Sequence, residues 1–330
     1  MEAKVLDYKN DVKWIDVSND CGLKVRLCTF GASVFSLSLD NSPLILSLKD
    51  QEFFLNCPQY FGKTLGRVAG RIPLNGNLDG VSYKLAQTKD FNYTLHGGDN
   101  NSISYKNWNY KIREAKNKVD VIFDLVDKDR ANGFPGRCHI YVIYSIFKDQ
   151  NNFKITFKAS SNKTTLLNLS NHIYWSFDND NSITDYSMKM NASKYGVVDK
   201  DVFIIKTEDV PEYLDFNRMS KLGPKLNKVE KTFLGTIDNT FIYNEVNSKK
   251  PQVILKNDKV QLSLYTDYPA MNIYVDNSMT NVDFVNNDRF KTRRGIALEP
   301  QLYVLDGDSI VLKKGQKYNH FILYKIKKIA

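Results

Sequence analysis

The chain has 330 residues, 42% of them hydrophobic and 25% charged, and a formal net charge of +9; it is long enough to bury a sizeable core without help from disulfides or metal. No apolar run approaches the ~20 residues that a membrane-spanning helix needs. The opening Met1-Glu2-Ala3-Lys4, continuing through Asn10 and Asp11, has no apolar stretch of the signal-peptide kind, so a cytoplasmic protein without a membrane partner is expected. Four cysteines, Cys21, Cys28, Cys57 and Cys138, form no CxxC pair and none stands at metal-ligand spacing from a histidine, which predicts reduced thiols and no structural zinc. The lysines are interleaved with Asp and Asn, so the positive charge reads as a solvated surface rather than a nucleic-acid footprint.

The predicted elements are strands almost throughout. Residues 24–27 and 34–39 alternate apolar and polar side chains on either side of a turn at Gly31. The same period of two runs through residues 119–126, 139–147 and 153–159. It returns at 253–255, 260–265, 271–275 and 321–326, and residues 295–298 form a wholly apolar run. Val, Ile, Phe, Tyr and Thr fill these runs. Asn75-Gly76, Asp79-Gly80 and Asn132-Gly133 are turn dipeptides. Helix signals are confined to a turn near residues 220–222, which Gly223-Pro224 would end, and another within 286–290. No GxGxxG follows a strand and no GxxxxGK[ST] occurs, which leaves nucleotide-binding α/β folds without support. With no composition break, linker or repeat, the pattern predicts an all-β fold: one large antiparallel sandwich or barrel, with a ligand site on a sheet face or at a mouth.

Five segments are unlike plain strand sequence. They are Gly66-Arg67-Val68-Ala69-Gly70-Arg71, Leu95-His96-Gly97-Gly98, Asn171-His172-Ile173-Tyr174-Trp175, Ile237-Asp238-Asn239-Thr240-Phe241 and Leu298-Glu299-Pro300-Gln301. Singly, each has an ordinary explanation. A histidine in a strand is commonly a hydrogen-bonded structural residue, and Asp-Asn is commonly a turn. A glutamate before proline commonly ends an exposed strand, and arginines bridge surface acids.

In this order the segments resemble the aldose 1-epimerase (galactose mutarotase) family. The resemblance rests on GRVAGRI at 66–72, LHGG at 95–98, NGFPG at 132–136, NHIYW at 171–175, DNTF at 238–241 and LEPQ at 298–301. TDYPAMNIYVDN at 266–277 and LKKGQKYNHFILYKI at 312–326 extend it, so the collinear match spans nearly the whole chain. It departs at Gly70, Trp175 and Ser176, where the family commonly has Asn, Phe and Asn. The resemblance implies a single domain over residues 1–330, a large antiparallel β-sandwich of the galactose mutarotase type (a supersandwich), with its site on a concave sheet face. It also implies Glu299 and His172 as the catalytic pair, Arg71, His96 and Asp238 as sugar-binding residues, and neither cofactor nor metal. The expected partner is a small sugar, and the expected assembly is a monomer or homodimer.

The chemistry suits these residue types. A cyclic hemiacetal opens when its O1–H loses a proton while ring oxygen O5 gains one; the aldehyde then turns about C1–C2 and closes on its other face. Glu299, ionised, is expected to take the O1 proton, and His172, protonated, to supply O5. Unperturbed pKa values near ~4.3 and ~6.5 bring both within reach of neutrality. His96 and Arg71 would donate to sugar oxygens, Asp238 would accept from a hydroxyl near C2, and Tyr174 and Trp175 would supply an apolar wall. The rival readings are a sugar-phosphate mutarotase using Arg67, Arg71, Arg293 and Arg294, a disaccharide mutarotase, a glycosidase using Asp238 and Glu299, and a non-catalytic sugar-binding protein on the same fold.

Overall fold

The structure, a computed structural model, describes residues 1–99, 101–177, 182–275, 282–285, 292–305 and 307–329. The alternating runs form three main antiparallel sheets of five, nine and six strands. The nine-stranded sheet is centred on Cys138–Phe147, Asn152–Ser161 and Lys317–Lys328. The six-stranded sheet runs, in spatial order, Tyr174–Trp175, Ile296–Gln301, Ala270–Val275, Asp238–Tyr243, Ala192–Val198 and Ile204–Asp209.

These two sheets pack face to face as a sandwich. Phe241, Met271, Ile273, Ile296 and Leu298 of the smaller sheet share one buried core with Phe123, Val142, Ile155 and Tyr324 of the larger. Trp175 meets Tyr324 across the seam at 4.7 Å between ring centroids. Burial of such apolar faces contributes roughly 25 cal/mol per Å². Successive side chains in a strand point to opposite faces, so packing this set inward turns Asp238, Thr240, Asn272, Tyr274, Glu299 and Gln301 outward together. The ladder aligns them, with Asp238 opposite Tyr274, Thr240 opposite Asn272, and Asn272 opposite Glu299. A one-residue slip would drive the carboxylates into the core, so this register is strongly specified.

Several local expectations are corrected. Asn75-Gly76 lies inside the strand Asn75–Leu78; the hairpin turns instead at Asp79-Gly80, whose φ values of 50° and 79° are both positive, as a two-residue turn of this hand requires. Residues 220–222 do not form a turn ended by Gly223-Pro224. A helix, Leu222–Val229, begins there and runs through Pro224, which sits in the first turn, where its missing N–H costs nothing. A further helix, Gln51–Asn56, had no periodic signal; Asp50 starts it, its carboxylate accepting from the Glu52 and Phe53 amides at 2.7 and 3.1 Å. Asp238-Asn239 opens a strand rather than a turn, and Glu299 is buried within a strand rather than exposed at its end. The segment 286–290 lies outside the described residues.

Arg67 is no surface bridge. Its buried guanidinium pairs with Asp127 at 2.7 Å and also donates to the carbonyls of Pro135 and Lys128 and to the Thr165 hydroxyl. It thereby ties the 66–72 segment to the 132–136 turn. Removing Arg67 leaves Asp127 with Lys106 alone and deprives the buried Pro135 carbonyl and the Lys128 carbonyl of their donor; a buried group left unmet in this way costs about 1–3 kcal/mol. Arg67→Met is therefore expected to lower the urea midpoint of unfolding sharply, by an amount well outside that of an exposed Arg→Met control such as Arg218→Met.

Candidate active site

Two loop segments and the outward face of the six-stranded sheet enclose a cavity of about 350 Å³, lined among others by Arg71, His96, His172, Tyr174, Asp238, Asn272, Glu299 and Gln301. The five site residues expected from the resemblance thus come together although they lie up to 228 positions apart, as the span from Arg71 to Glu299 shows.

His96 is held in an uncommon conformation. Its φ is 50°, a region that side-chain-bearing residues avoid, and it exchanges two hydrogen bonds with Gly70. The His96 amide donates to the Gly70 carbonyl at 3.0 Å, and the Gly70 amide donates to His96 Nδ1 at 3.1 Å. Gly97 must be glycine here, because a Cβ would lie 1.9 Å from the Gly66 carbonyl oxygen. Asn132 of the 132–136 turn donates to the Gly97 carbonyl at 2.8 Å, so that turn supports the histidine loop from behind. Strained backbone of this kind persists only where its surroundings over-determine it.

His172 follows the short strand Ser170–Asn171. Its amide donates to the Lys63 carbonyl and its carbonyl accepts from the Gly62 amide, while the Asn171 side chain donates to the Gly62 carbonyl. The ring stacks on Tyr60 and meets His96 edge-on at 5.6 Å. Its Nε2 lies 3.4 Å from Glu299 Oε1.

Across the floor, Arg71 and Asp238 form an ion pair at 2.8 Å, and the Asn272 amide donates to the other Asp238 oxygen at 3.2 Å. Thr240 donates to Asn272 Oδ1 at 3.1 Å, and Gln301 to Thr240 at 3.4 Å. The network stops short of the reaction centre. Both oxygens of Glu299, the Arg71 Nε and the Gln301 Oε1 are buried and have no hydrogen-bond partner in the protein. A buried polar group left in this condition costs about 1–3 kcal/mol, and a ligand dense in hydroxyls relieves it. Loss of one charge-assisted contact of this kind is worth about 1.5–3 kcal/mol, or roughly 10–100-fold in affinity. Arg71→Met is therefore expected to weaken the binding of a hydroxyl-rich ligand by that factor, read as a rise in KM or Kd in a titration.

Burial dominates the proton chemistry. It raises Glu299 to about 8, with the nearby Asp238 charge adding to the shift and Arg71 and Asn272 opposing it. It lowers His172 to about 4, against weaker upward pulls from its own backbone carbonyl and from Asp238. Near neutrality the free pair therefore holds one proton, on Glu299 rather than on His172, the reverse of the assignment that unperturbed values suggest. Burial, then the charges of His172 and Arg71, push His96 well below its ordinary value, so it is neutral.

His96, His172 and Glu299 offer three ligand atoms within 4.8 Å of one another. A metal would need a ring nitrogen with a free lone pair. Since His96 Nδ1 accepts the Gly70 N–H, the neutral ring carries its own proton on Nε2, and its remaining nitrogen is a donor, not a ligand. The trio suits a hydrogen-bond-accepting oxygen better than a cation.

A profile of the aldose 1-epimerase family matches residues 13–325. The chain belongs to the aldose 1-epimerase family. Among curated relatives, the bifunctional protein gal10 of Schizosaccharomyces pombe is 27% identical over 345 residues, covering 97% of this chain but 46% of that one, so this chain spans less than half of its length. The aldose 1-epimerase of Haemophilus influenzae is 27% identical over 308 residues, covering 87% and 85% of the two chains. The crystal structure of galactose 1-epimerase from Lactobacillus acidophilus superposes with a TM-score of 0.90 at 25% identity over the full length of both. The sandwich, and an isomerase, are what membership of the aldose 1-epimerase family entails.

Within this aldose 1-epimerase fold the two aromatic wall candidates separate. Tyr174 lines the cavity, whereas Trp175, one residue on, points to the opposite face and into the core. The departures at Trp175 and Ser176 therefore lie away from the cavity; Gly70 borders it, and a Cβ there would meet the Gln301 amide at 3.8 Å, so its absence leaves that end open. Thr240, Asn272 and Gln301 were not singled out from the sequence. A period-two step from Asp238 and Glu299 would have found Thr240 and Gln301; Tyr60, at φ 56° in a loop, carried no such signal.

Proposed function

We propose that the chain interconverts the α and β anomers of a free aldohexose such as galactose or glucose. The observation that carries this reading is a buried imidazole–carboxylate pair, 3.4 Å apart and holding one proton, at the end of a polar cavity whose remaining groups are matched donors and acceptors.

The sugar sits with O1–H toward Glu299 and O5 toward His172. Charge separation within the pair, Glu299 ionised and His172 protonated, is disfavoured in the free site because both ions are desolvated. A bound sugar offsets this with two charge-assisted hydrogen bonds, O1–H donating to the carboxylate and the imidazolium donating to O5, each about 1.5–3 kcal/mol. Glu299 then takes the O1 proton as His172 delivers its own to O5, and the C1–O5 bond breaks. The aldehyde rotates about C1–C2, and the reverse transfers close the ring on the other face. The proton count of the pair is unchanged after each turnover. His96 Nε2–H and the Arg71 Nε–H donate to sugar oxygens, and Asp238 accepts from a hydroxyl while remaining paired to Arg71.

A phosphorylated substrate is not favoured. Among the described residues lining the cavity, Arg71 is the one fixed cation, and Asp238 neutralises it. Arg67 is committed to Asp127, Arg293 to Glu230, and Arg294 is buried over Phe284. Polarimetry of freshly dissolved α-galactose, α-glucose and glucose 6-phosphate at low buffer concentration tests this. Acceleration is expected for the free sugars and little for the phosphate; the reverse order would replace this reading with the sugar-phosphate one.

A further inference from the structure

Gln301 stands one outward step beyond Glu299 on the same strand. It lines the cavity, is 1% exposed, and its Oε1 has no hydrogen-bond partner in the protein. We propose that this oxygen accepts the hydrogen bond of the sugar's C2 hydroxyl, which makes Gln301 a specificity-determining residue. The inference rests on the mutarotase reading and deepens it.

The direction of the amide follows from the chain of groups that holds it. The Asp238 carboxylate, paired with Arg71, can only accept, so Asn272 turns its NH2 toward it at 3.2 Å and its Oδ1 away. Thr240 gives its single hydroxyl proton to that Oδ1 at 3.1 Å, which leaves a lone pair facing Gln301. Gln301 donates to it through its NH2 at 3.4 Å, and Oε1 is the atom left over. A flipped amide would set Oε1 against an oxygen with no proton left to give. The charge on Asp238 thus fixes, through two neutral side chains, an acceptor rather than a donor at this point of the cavity. The position follows from the ladder. Gln301 lies opposite Ala270, whose single methyl leaves room for the longer side chain to cross that strand and reach Thr240 on the next. His172 approaches from the other flank of the Ile296–Gln301 strand, in the segment that pairs Tyr174 with Ala297. The amide therefore sits on the side of Glu299 away from His172. With O1 at Glu299 and O5 at His172, the ring carbon on that side is C2. Gly70 borders the amide without covering it: a Cβ there would lie 3.8 Å from both its nitrogen and its oxygen.

The test compares galactose and glucose with their 2-deoxy analogues and with 3-deoxyglucose, reading anomer exchange by NMR over the uncatalysed rate, in the wild type, Gln301→Met and Thr240→Val. The wild type is expected to favour each hexose over its 2-deoxy analogue by about tenfold in kcat/KM, because the analogue leaves a buried acceptor unmet. Gln301→Met, similar in length but without the acceptor, should slow the hexoses and 3-deoxyglucose about tenfold and the 2-deoxy sugars less than about twofold, so that the C2 preference disappears. Thr240→Val keeps Gln301 but frees its amide to turn, and should weaken the same preference; this arm decides the matter if Gln301→Met does not fold. The assignment of Gln301 alone would be overturned by a wild type without C2 preference, by a preference that survives both substitutions, or by equal slowing of hexoses and 2-deoxy sugars. A 3-deoxyglucose response that follows the 2-deoxy sugars would equally overturn it. Failure of the wild type to accelerate any of these sugars would remove the mutarotase reading along with it.

Discussion

Glu299→Gln is expected to lower kcat/KM for anomer exchange by about 10²–10⁴-fold, the span typical of losing one general acid–base group, and to do so without destabilising the fold. The second half of this result distinguishes a functional carboxylate from a structural one. Glu299 is 1% exposed and neither of its oxygens accepts a hydrogen bond within the protein, so glutamine, which has nearly the same shape and no charge, breaks no hydrogen bond. The direction with pH follows from linkage. Burial holds the Glu299 pKa at about 8, above its ordinary 4.5, so the folded protein binds this proton more tightly than the unfolded chain. The corresponding stability is complete below 4.5 and is lost as pH rises through about 8. His172, lowered from 6.5 to about 4, acts oppositely, its contribution fading as pH falls from 6.5 toward 4. From pH 6.5 to 8 only the glutamate slope remains. Over that interval the melting temperature of the wild type should decline relative to that of Glu299→Gln; a variant that melts lower at every pH would mark Glu299 as structural.

His172→Gln should cost a rate factor of the same order, and the double variant should be little worse than either single one. Two groups that pass one proton act as a unit, and once either is gone the other has no partner to work with. Because the working state is the pair with one proton, kcat/KM should follow a bell-shaped pH dependence. Its acid limb lies near 4, where a second proton enters, and its alkaline limb near 8, where the only proton leaves; these values belong to the pair rather than to either residue. Glu299→Gln should remove the alkaline limb from whatever rate remains. Strictly multiplicative losses in the double variant, or a profile flat from pH 5 to 9, would contradict coupled proton transfer.

Much of this was legible in the residues. Period-two patterning located the strands because packing one sheet face against another forces alternation, and the apolar 241, 273 and 298 set implied that its neighbours point outward. Periodicity could not distinguish an outward face that meets water from one that meets a second layer of loops. That is why Glu299 before Pro300 and the Asp238-Asn239 pair looked like exposed ends and turns until the collinear motifs were weighed together. The supporting contacts were less legible still. Nothing local marks Asn132 as the donor to Gly97 or Arg67 as the buried partner of Asp127, since both depend on segments brought together from 35 and 60 positions away. The proton placement was likewise out of reach, because it depends on burial, a property of the assembled fold. The Gln51–Asn56 helix was missed for a simpler reason: one turn and a half is too short to establish a period.

Ring opening at C1–O5 by this pair is tested most directly with galactose labelled with oxygen-18 at O1, followed by carbon-13 NMR, in which anomer exchange and label content are read from the same C1 resonances. The account predicts exchange accelerated by the wild type with the label kept, and no acceleration above background in Glu299→Gln. Acceleration accompanied by matching loss of label to water would mean that C1–O1 rather than C1–O5 is broken, and the proton-transfer scheme built on Glu299 and His172 would be wrong.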